Sequence, residues 1–265
     1  TDSITKVTYK ELQEKVARLA GALQANGINK GDTVIIYMPM ILEAAYAMLA
    51  CARIGAIHSV VFGGFAANEL AIRIDHAEPK MIITASGALE GAKTLAYKPI
   101  VDEAISIAEH QIEHVVLLQR PFVTAEMQAG RDIDWNDFVS GAAPADCVPV
   151  EATDPLYILY TSGTTGPPKG AMLTHSNCLW MGEAITSENP MGAEDEIMSF
   201  LPLCHIFEQL FTVLGRTAAA RGGAVLLAGD NADDAVADDR PARGDHRAAV
   251  PDPPPGSFAF RAGRL

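Results

Sequence analysis

Gly31-Asp32-Thr33-Val34-Ile35-Ile36-Tyr37-Met38-Pro39-Met40-Ile41-Leu42-Glu43-Ala44-Ala45-Tyr46-Ala47-Met48-Leu49-Ala50-Cys51-Ala52-Arg53 is the stretch that decides the fold. Gly31-Asp32 reads as a turn, Thr33 to Tyr37 as an unbroken β-rich run, and Ile41 to Arg53 as an alanine-rich helix. A strand apolar on both faces, followed at once by a helix, belongs to a sheet covered on both sides. Pro39 and Glu43 interrupt the apolar run from Val34 to Ala50, which therefore falls short of a membrane span.

The pattern extends in both directions. Upstream, Leu12, Val16, Leu19, Ala20 and Leu23 recur at helical spacing between Tyr9 and Asn26, and Gly27 is placed as a stop. Downstream come strand 56–62, helix 66–76, strand 80–85, helix 100–110 and strand 114–119. The fold class is α/β, with parallel sheets flanked by helices. Between Arg120 and Asp154 the periodicity fades, and Gly, Ala, Pro and Asp gather around Trp135 and Phe138, as in a surface connection. Strand 155–160 follows, then a loop, a short run 171–174, a helix from about Ser176, a strand near 196–200, a helix from about Ile206 and a strand at 224–227.

After Gly229 the chain turns to Asp, Arg, Ala, Pro and Gly, with Pro253-Pro254-Pro255 blocking regular structure. We divide the chain at this point. Residues 1–228 form a nucleotide-binding domain, and 229–265 form a low-complexity tail, either frame-shifted or a disordered linker. A start at Thr1, with no initiator methionine and no signal peptide, is expected of a fragment of a cytoplasmic protein. A net charge of −13 argues against nucleic acid as partner and in favour of small molecules. Cys51, Cys147, Cys178 and Cys204 form no C-x-x-C pair and read as buried free thiols. His110-Gln-Ile-Glu113-His114 matches a zinc-protease pattern, but a strand beginning at once after His114 leaves no continuous helix to carry it, so no metal site is expected.

The chemistry-bearing segment is Tyr160-Thr161-Ser162-Gly163-Thr164-Thr165-Gly166-Pro167-Pro168-Lys169-Gly170. Glycines let the backbone turn tightly with its amides inward, hydroxyls add donors, and Lys169 adds positive charge, which together suit phosphate. The Walker A spacing is not met, since Pro168 stands where its second glycine belongs and Gly170 follows Lys169.

The run from Thr161 to Gly170 resembles the AMP-binding signature of the adenylate-forming superfamily, which includes acyl-CoA synthetases, firefly-type luciferases and peptide-synthetase adenylation domains. The resemblance implies a partial N-terminal domain of that fold. It also implies a two-step ligase: a carboxylic acid and ATP give acyl-AMP and pyrophosphate, then the thiol of CoA displaces AMP. Thr161, Ser162, Gly163, Thr164, Thr165, Gly166 and Lys169 would hold the ATP phosphates, with Mg²⁺ neutralising their charge.

Ser199 to Gln209 is similar to the corner where relatives set a side chain beside the acyl group, which makes His205 either a catalytic gate or a helix-start packing residue. Gly55 to Leu70 and Tyr97 to Ala104 resemble propionyl- and acetyl-CoA synthetases, whereas Gly166 to Asn177 and Leu201 to Gln209 are nearer long-chain fatty acyl-CoA ligases. Acyl chain length stays open between these two. In the short-chain branch Gly63, Gly64 and Lys93 match positions near CoA, and a plain strand-to-helix turn is the alternative for the glycines. An amino-acid-activating domain is disfavoured by the Phe62-Gly-Gly and Leu201-Pro-Leu-Cys-His runs. The family's later Tyr-Gly-x-Thr-Glu and Thr-Gly-Asp segments and its C-terminal lysine domain are not found, so the chain alone is expected to bind nucleotide weakly and turn over poorly. A non-catalytic remnant of a synthetase gene is the competing reading.

Overall fold

The chain enters through strand β1 (Ser3–Thr8) and helix α1 (Tyr9–Ala25), and Thr8 fixes the junction. The Glu11 amide donates to the Thr8 hydroxyl at 3.2 Å, and the Thr8 amide donates to the Glu11 carboxylate at 2.7 Å. This capping box satisfies two of the donors that a helix start leaves open. The computed structural model describes residues 3–90, 93–161, 168–188, 196–199, 203–205, 224–228 and 257–262. The helix expected from about Ile206 lies outside them.

The alternation read from the sequence then unfolds in order. It runs β2 (Thr33–Tyr37), α2 (Leu42–Ile54), β3 (Ile57–Val60), α3 (Ala67–Ala77), β4 (Met81–Ala85), the hairpin β5 (Gly87–Glu90) and β6 (Lys93–Ala96), α4 (Lys98–Ile107) and β7 (His114–Leu118). Next come β8 (Asp132–Asp134), α5 (Trp135–Val139), β9 (Pro155–Thr161), β10 (Lys169–Thr174) and α6 (His175–Glu188). Strands β11 (Glu196–Ser199), β12 (Ala224–Ala228) and β13 (Ser257–Ala262) complete the described elements.

Seven strands form the main sheet in the order β10-β9-β3-β2-β4-β7-β8, and every neighbouring pair is parallel except β10 with β9. Helices α1 and α2 cover one face, where Leu19, Leu23 and Met48 are buried with Ile36 and Ile83. Helices α3 and α4 cover the other, where Leu70, Ile74 and Val101 meet Ile35 and Ile82. Each such side chain contributes about 1.5–3 kcal/mol by leaving water. Central strands therefore read as continuous apolar runs because both of their faces are covered. A second sheet has the order β1-β13-β12-β11.

Three expectations need correcting. The 120–154 stretch is not merely a surface connection: β8 extends the main sheet beside β7, and Trp135 and Phe138 of α5 are buried. Asp134 starts α5 by accepting from the amides of Asn136 and Asp137, a signal easily lost in a Gly/Pro-rich region. The tail is not without regular structure, since β13 pairs antiparallel with β1 and parallel with β12. Its sequence alternates Phe258 and Phe260 with small or polar residues, a period-two pattern suited to a strand. Finally, Cys51 and Cys178 are buried as expected, but Cys147 is exposed.

Helix α4 ends at Ile107, so His110 lies beyond it, and His114 opens β7. Among the described residues no group of three His, Cys, Asp or Glu side chains could hold a metal ion, and no helix is long and apolar enough to cross a membrane.

Candidate functional site

The order β3-β2-β4 places β2 first in the centre, β3 on one side and β4 on the other. The chain direction reverses there, and in open α/β sheets ligands bind beyond the carboxyl ends of the strands at such a switch point. Two connecting segments emerge at that end, 38–40 after β2 and 61–66 after β3, and β9 ends there at Thr161.

The glycine-rich loop closes a β-hairpin. Thr161 and Lys169 are register partners at its base, followed by Tyr160 with Gly170. Ser162, Gly163, Thr164, Thr165 and Gly166 lie outside the described residues; Lys169 is exposed at the start of β10. The base is tight, because a Cβ on Gly170 would sit 3.0 Å from Ile158 Cγ2 and 3.3 Å from the Tyr160 ring. Helix α6 begins only after the six residues of β10, so its N-terminus lies roughly 20 Å along the strand from Lys169. A P-loop instead sets a helix dipole directly behind the phosphates. Here the described charge at this end of the hairpin is the exposed Lys169.

The Phe62-Gly63-Gly64-Phe65 turn is held from beneath. Tyr37 Oη donates to the carbonyls of Gly63 and Phe65 at 2.8 and 2.9 Å. Tyr97, which follows β6, packs so closely that a Cβ on Gly63 would lie 2.0 Å from its hydroxyl oxygen. Glycine at 63 is thus demanded by close approach, whatever ligand the turn serves. Lys93 is exposed at the first residue of β6, paired in register with Glu90, so the chain from Lys93 to Tyr97 links that hairpin to the glycine turn.

His205 is exposed beside Leu203, whose amide donates to Met40 Sδ at 3.2 Å, so this corner lies against the segment that follows β2. Burial pushes the Cys204 thiol up to about 11, with the positive charge of Arg73 acting in the opposite direction.

Arg73, like Tyr37 and Tyr97, is a residue that sequence reading missed. Its side chain is only 4% exposed, its Nη1 donates to Glu69 Oε2 at 2.9 Å, and its guanidinium carbon lies 4.6 Å from the Phe65 ring centroid and 5.0 Å from that of Tyr160. The signal was present: Arg73 stands three residues after Leu70 on the apolar stripe of α3. Deeper, His58 of β3 stacks on Tyr157 of β9 at 5.5 Å. Both ring nitrogens of His58, Tyr157 Oη and His175 Nε2 are buried without a hydrogen-bond partner among the described residues. Burial, assisted by His175, pushes His58 down to about 3.

A doubly wound α/β protein with its candidate binding face at the carboxyl edge of the sheet is what the fold and these turns define. The family description "AMP-binding enzyme" matches residues 1–242. The chain belongs to the AMP-binding enzyme family. An uncharacterized protein of Pseudomonas aeruginosa is 58% identical over 170 residues, covering 64% of this chain and 27% of that protein. The human protein named mitochondrial acyl-CoA synthetase short-chain family member 3 is 53% identical over 173 residues, covering 65% of this chain and 25% of that one. The Pasteurella multocida protein named acetyl-coenzyme A synthetase is 48% identical over 182 residues, covering 68% and 27% respectively. The chain spans about a quarter of the length of these curated relatives.

Proposed function

We propose that this chain supplies the phosphate-gripping part of an AMP-forming acyl-CoA synthetase acting on a short carboxylic acid. The observation that supports this reading is the antiparallel pairing of β9 with β10, in which Thr161 at the carboxyl end of β9 faces Lys169. The family match supports the nucleotide, and the names of the human and Pasteurella relatives support a short acid and CoA.

In this reading a carboxylate oxygen attacks the α-phosphorus of ATP, the bond to the β-phosphate oxygen breaks, and pyrophosphate leaves. The thiolate of CoA then attacks the acyl carbon and AMP departs. Loop amides and the hydroxyls of Thr161, Ser162, Thr164 and Thr165 hold the β- and γ-phosphates, and Lys169 supplies a counter-charge there. Mg²⁺ arrives with ATP as part of the substrate. The turn at Gly63-Gly64, with Lys93, takes the CoA nucleotide, and His205 stands on the acyl side.

Titration calorimetry of MgATP against the 265-residue chain and Lys169→Ala tests the reading. A charge-assisted contact is worth about 1.5–3 kcal/mol, so the substitution is expected to weaken binding roughly 10- to 100-fold. Equal affinity in both chains, or no binding by the unaltered chain, rejects it.

A further inference from the structure

Tyr37, the last residue of β2, ties the turn after β3 to the sheet. It is wholly buried, and the Thr84 hydroxyl of β4 donates to its carbonyl at 2.8 Å, which pins the strand end beneath the turn. Its own hydroxyl donates to the Gly63 and Phe65 carbonyls at 2.8 and 2.9 Å, one proton shared between two acceptors. In a trans peptide unit the carbonyl and the following amide point in opposite directions, and no described peptide bond is cis. Drawing the Gly63 carbonyl inward therefore turns the Gly64 amide outward, and Gly64 is exposed. The 63–64 unit rotates about two glycine torsions, so the backbone alone does not choose between this orientation and the reverse. The next unit drawn inward, 65–66, is flanked by the side chains of Phe65 and Ala66 and has less freedom. At 63–64 the Tyr37 hydroxyl supplies the choice.

We propose that Tyr37 is a positioning residue for CoA: it holds the 63–64 peptide unit with its amide outward, toward the phosphates of the ligand. The inference rests on the reading that this turn and Lys93 take the CoA nucleotide. Tyr37 lies beneath the turn and touches no substrate in this account; it acts through the Gly63 and Phe65 carbonyls. With its hydroxyl gone, the unit turns over part of the time and presents a carbonyl oxygen where an anion needs a donor. Phenylalanine keeps the ring beside Tyr97, 4.9 Å between centroids, and among the same buried neighbours. Tyr37→Phe therefore separates orientation from packing.

Amide-nitrogen relaxation of the ligand-free chain reads the peptide unit directly. In Tyr37→Phe the Gly64 amide is expected to drop from an order parameter of about 0.85 to below about 0.6, or to gain millisecond exchange, with the α1 amides unchanged. A Gly64 amide as rigid as in the unaltered chain overturns the proposal. Calorimetry of CoA is the second arm: affinity in Tyr37→Phe is expected to fall about tenfold, the order of one charge-assisted hydrogen bond. Met48→Ala opens a cavity on the opposite face of the sheet, and should lower the unfolding temperature more yet leave CoA affinity as it is. CoA affinity that follows stability across the two variants, or that is equal in Tyr37→Phe and the unaltered chain, overturns the proposal. No CoA binding by the unaltered chain, with Gly64 loosened in Tyr37→Phe, rejects the CoA reading and upholds the hold on the turn.

Discussion

The two flanks of the main sheet handle buried polar groups in opposite ways. On the β7–β8 flank four charges form one network: Lys98, 3% exposed, meets Asp102 at 2.7 Å and the Asp132 carboxylate, whose side chain is fully buried, at 2.8 Å, and Arg131 joins Asp132 at 2.7 Å and also bonds Asp102, while His114 Nδ1 at the start of β7 is buried without a partner among the described residues. On the β3–β9 flank His58, Tyr157 and His175 bury polar atoms without partners among the described residues, and Met172, Leu179 and Trp180 are more than half exposed. A satisfied network fixes one arrangement, while an unsatisfied one leaves free energy available for a change of state. The candidate phosphate loop springs from the second flank. Scaffold and candidate site are thus separated across one sheet.

Breaking the matched flank is expected to cost most. Burial alone would raise the Asp132 carboxyl, but hydrogen bonds from Arg131 and Lys98 outweigh it and hold the group below the usual carboxylate range. Asp132→Asn leaves Lys98 buried with one carboxylate fewer, and a loss of about 3–5 kcal/mol in urea unfolding is expected. The double change Lys98→Met/Asp132→Leu removes both charges together and should recover most of that loss. If the single substitution costs under about 1 kcal/mol, the contrast between the flanks fails.

The unmatched flank predicts a pH effect. His58 titrates at about 3 in the folded chain against an ordinary 6.5. As pH falls from 6.5 the unfolded chain takes up a proton that the folded chain refuses, so stability is full above 6.5 and declines down to about 3. The slope reaches about 1.4 kcal/mol per pH unit only once the unfolded imidazole is mostly protonated, so the loss between pH 6.5 and 4.5 is about 2 kcal/mol. His58→Phe retains a ring against Tyr157 and should flatten this limb. Asp132, depressed rather than raised, loses its contribution only below the ordinary carboxylate range, so the two effects occupy different windows. A limb of unchanged slope in His58→Phe would assign the proton to another group.

What the sequence could and could not convey follows the same division. Elements whose burial is written in their own periodicity, such as α1 with Leu12, Val16, Leu19 and Leu23 or the unbroken β2, were legible because each carries its pattern within one window. Strand β8, Asp132-Ile133-Asp134, was not: two of its three residues are acidic, and its place is set by Lys98 and Arg131, one of them 34 positions away. The candidate loop was legible because its chemistry is local to 161–170. Arg73, Tyr37 and Tyr97 were not, because their roles arise only when α3, β2 and the β5–β6 hairpin meet around residues 62–65.

The smallest expected effects come from the two turns, and they sharpen the comparison because the same substitution meets different surroundings. In Gly63→Ala the new Cβ would lie 2.0 Å from Tyr97 Oη and 2.4 Å from its ring carbon, a clash that removing the hydroxyl alone does not relieve. Overpacking of this kind costs about 1–3 kcal/mol, and Tyr97→Phe should restore only part of it. Gly170→Ala places its Cβ 3.0 Å from an Ile158 methyl and 3.3 Å from the Tyr160 ring, each of which can yield by a few tenths of an ångström, and alanine restricts the unfolded chain. Its net effect on stability should stay within about 1 kcal/mol. Yet the displaced Tyr160 ring bears on Arg73, so MgATP affinity should fall even as thermal unfolding barely moves. Thermal unfolding of both variants, with calorimetry on the second, separates a turn that is packed for stability from one that is packed for binding. A Gly170→Ala chain that unfolds early with unaltered affinity would reverse that assignment.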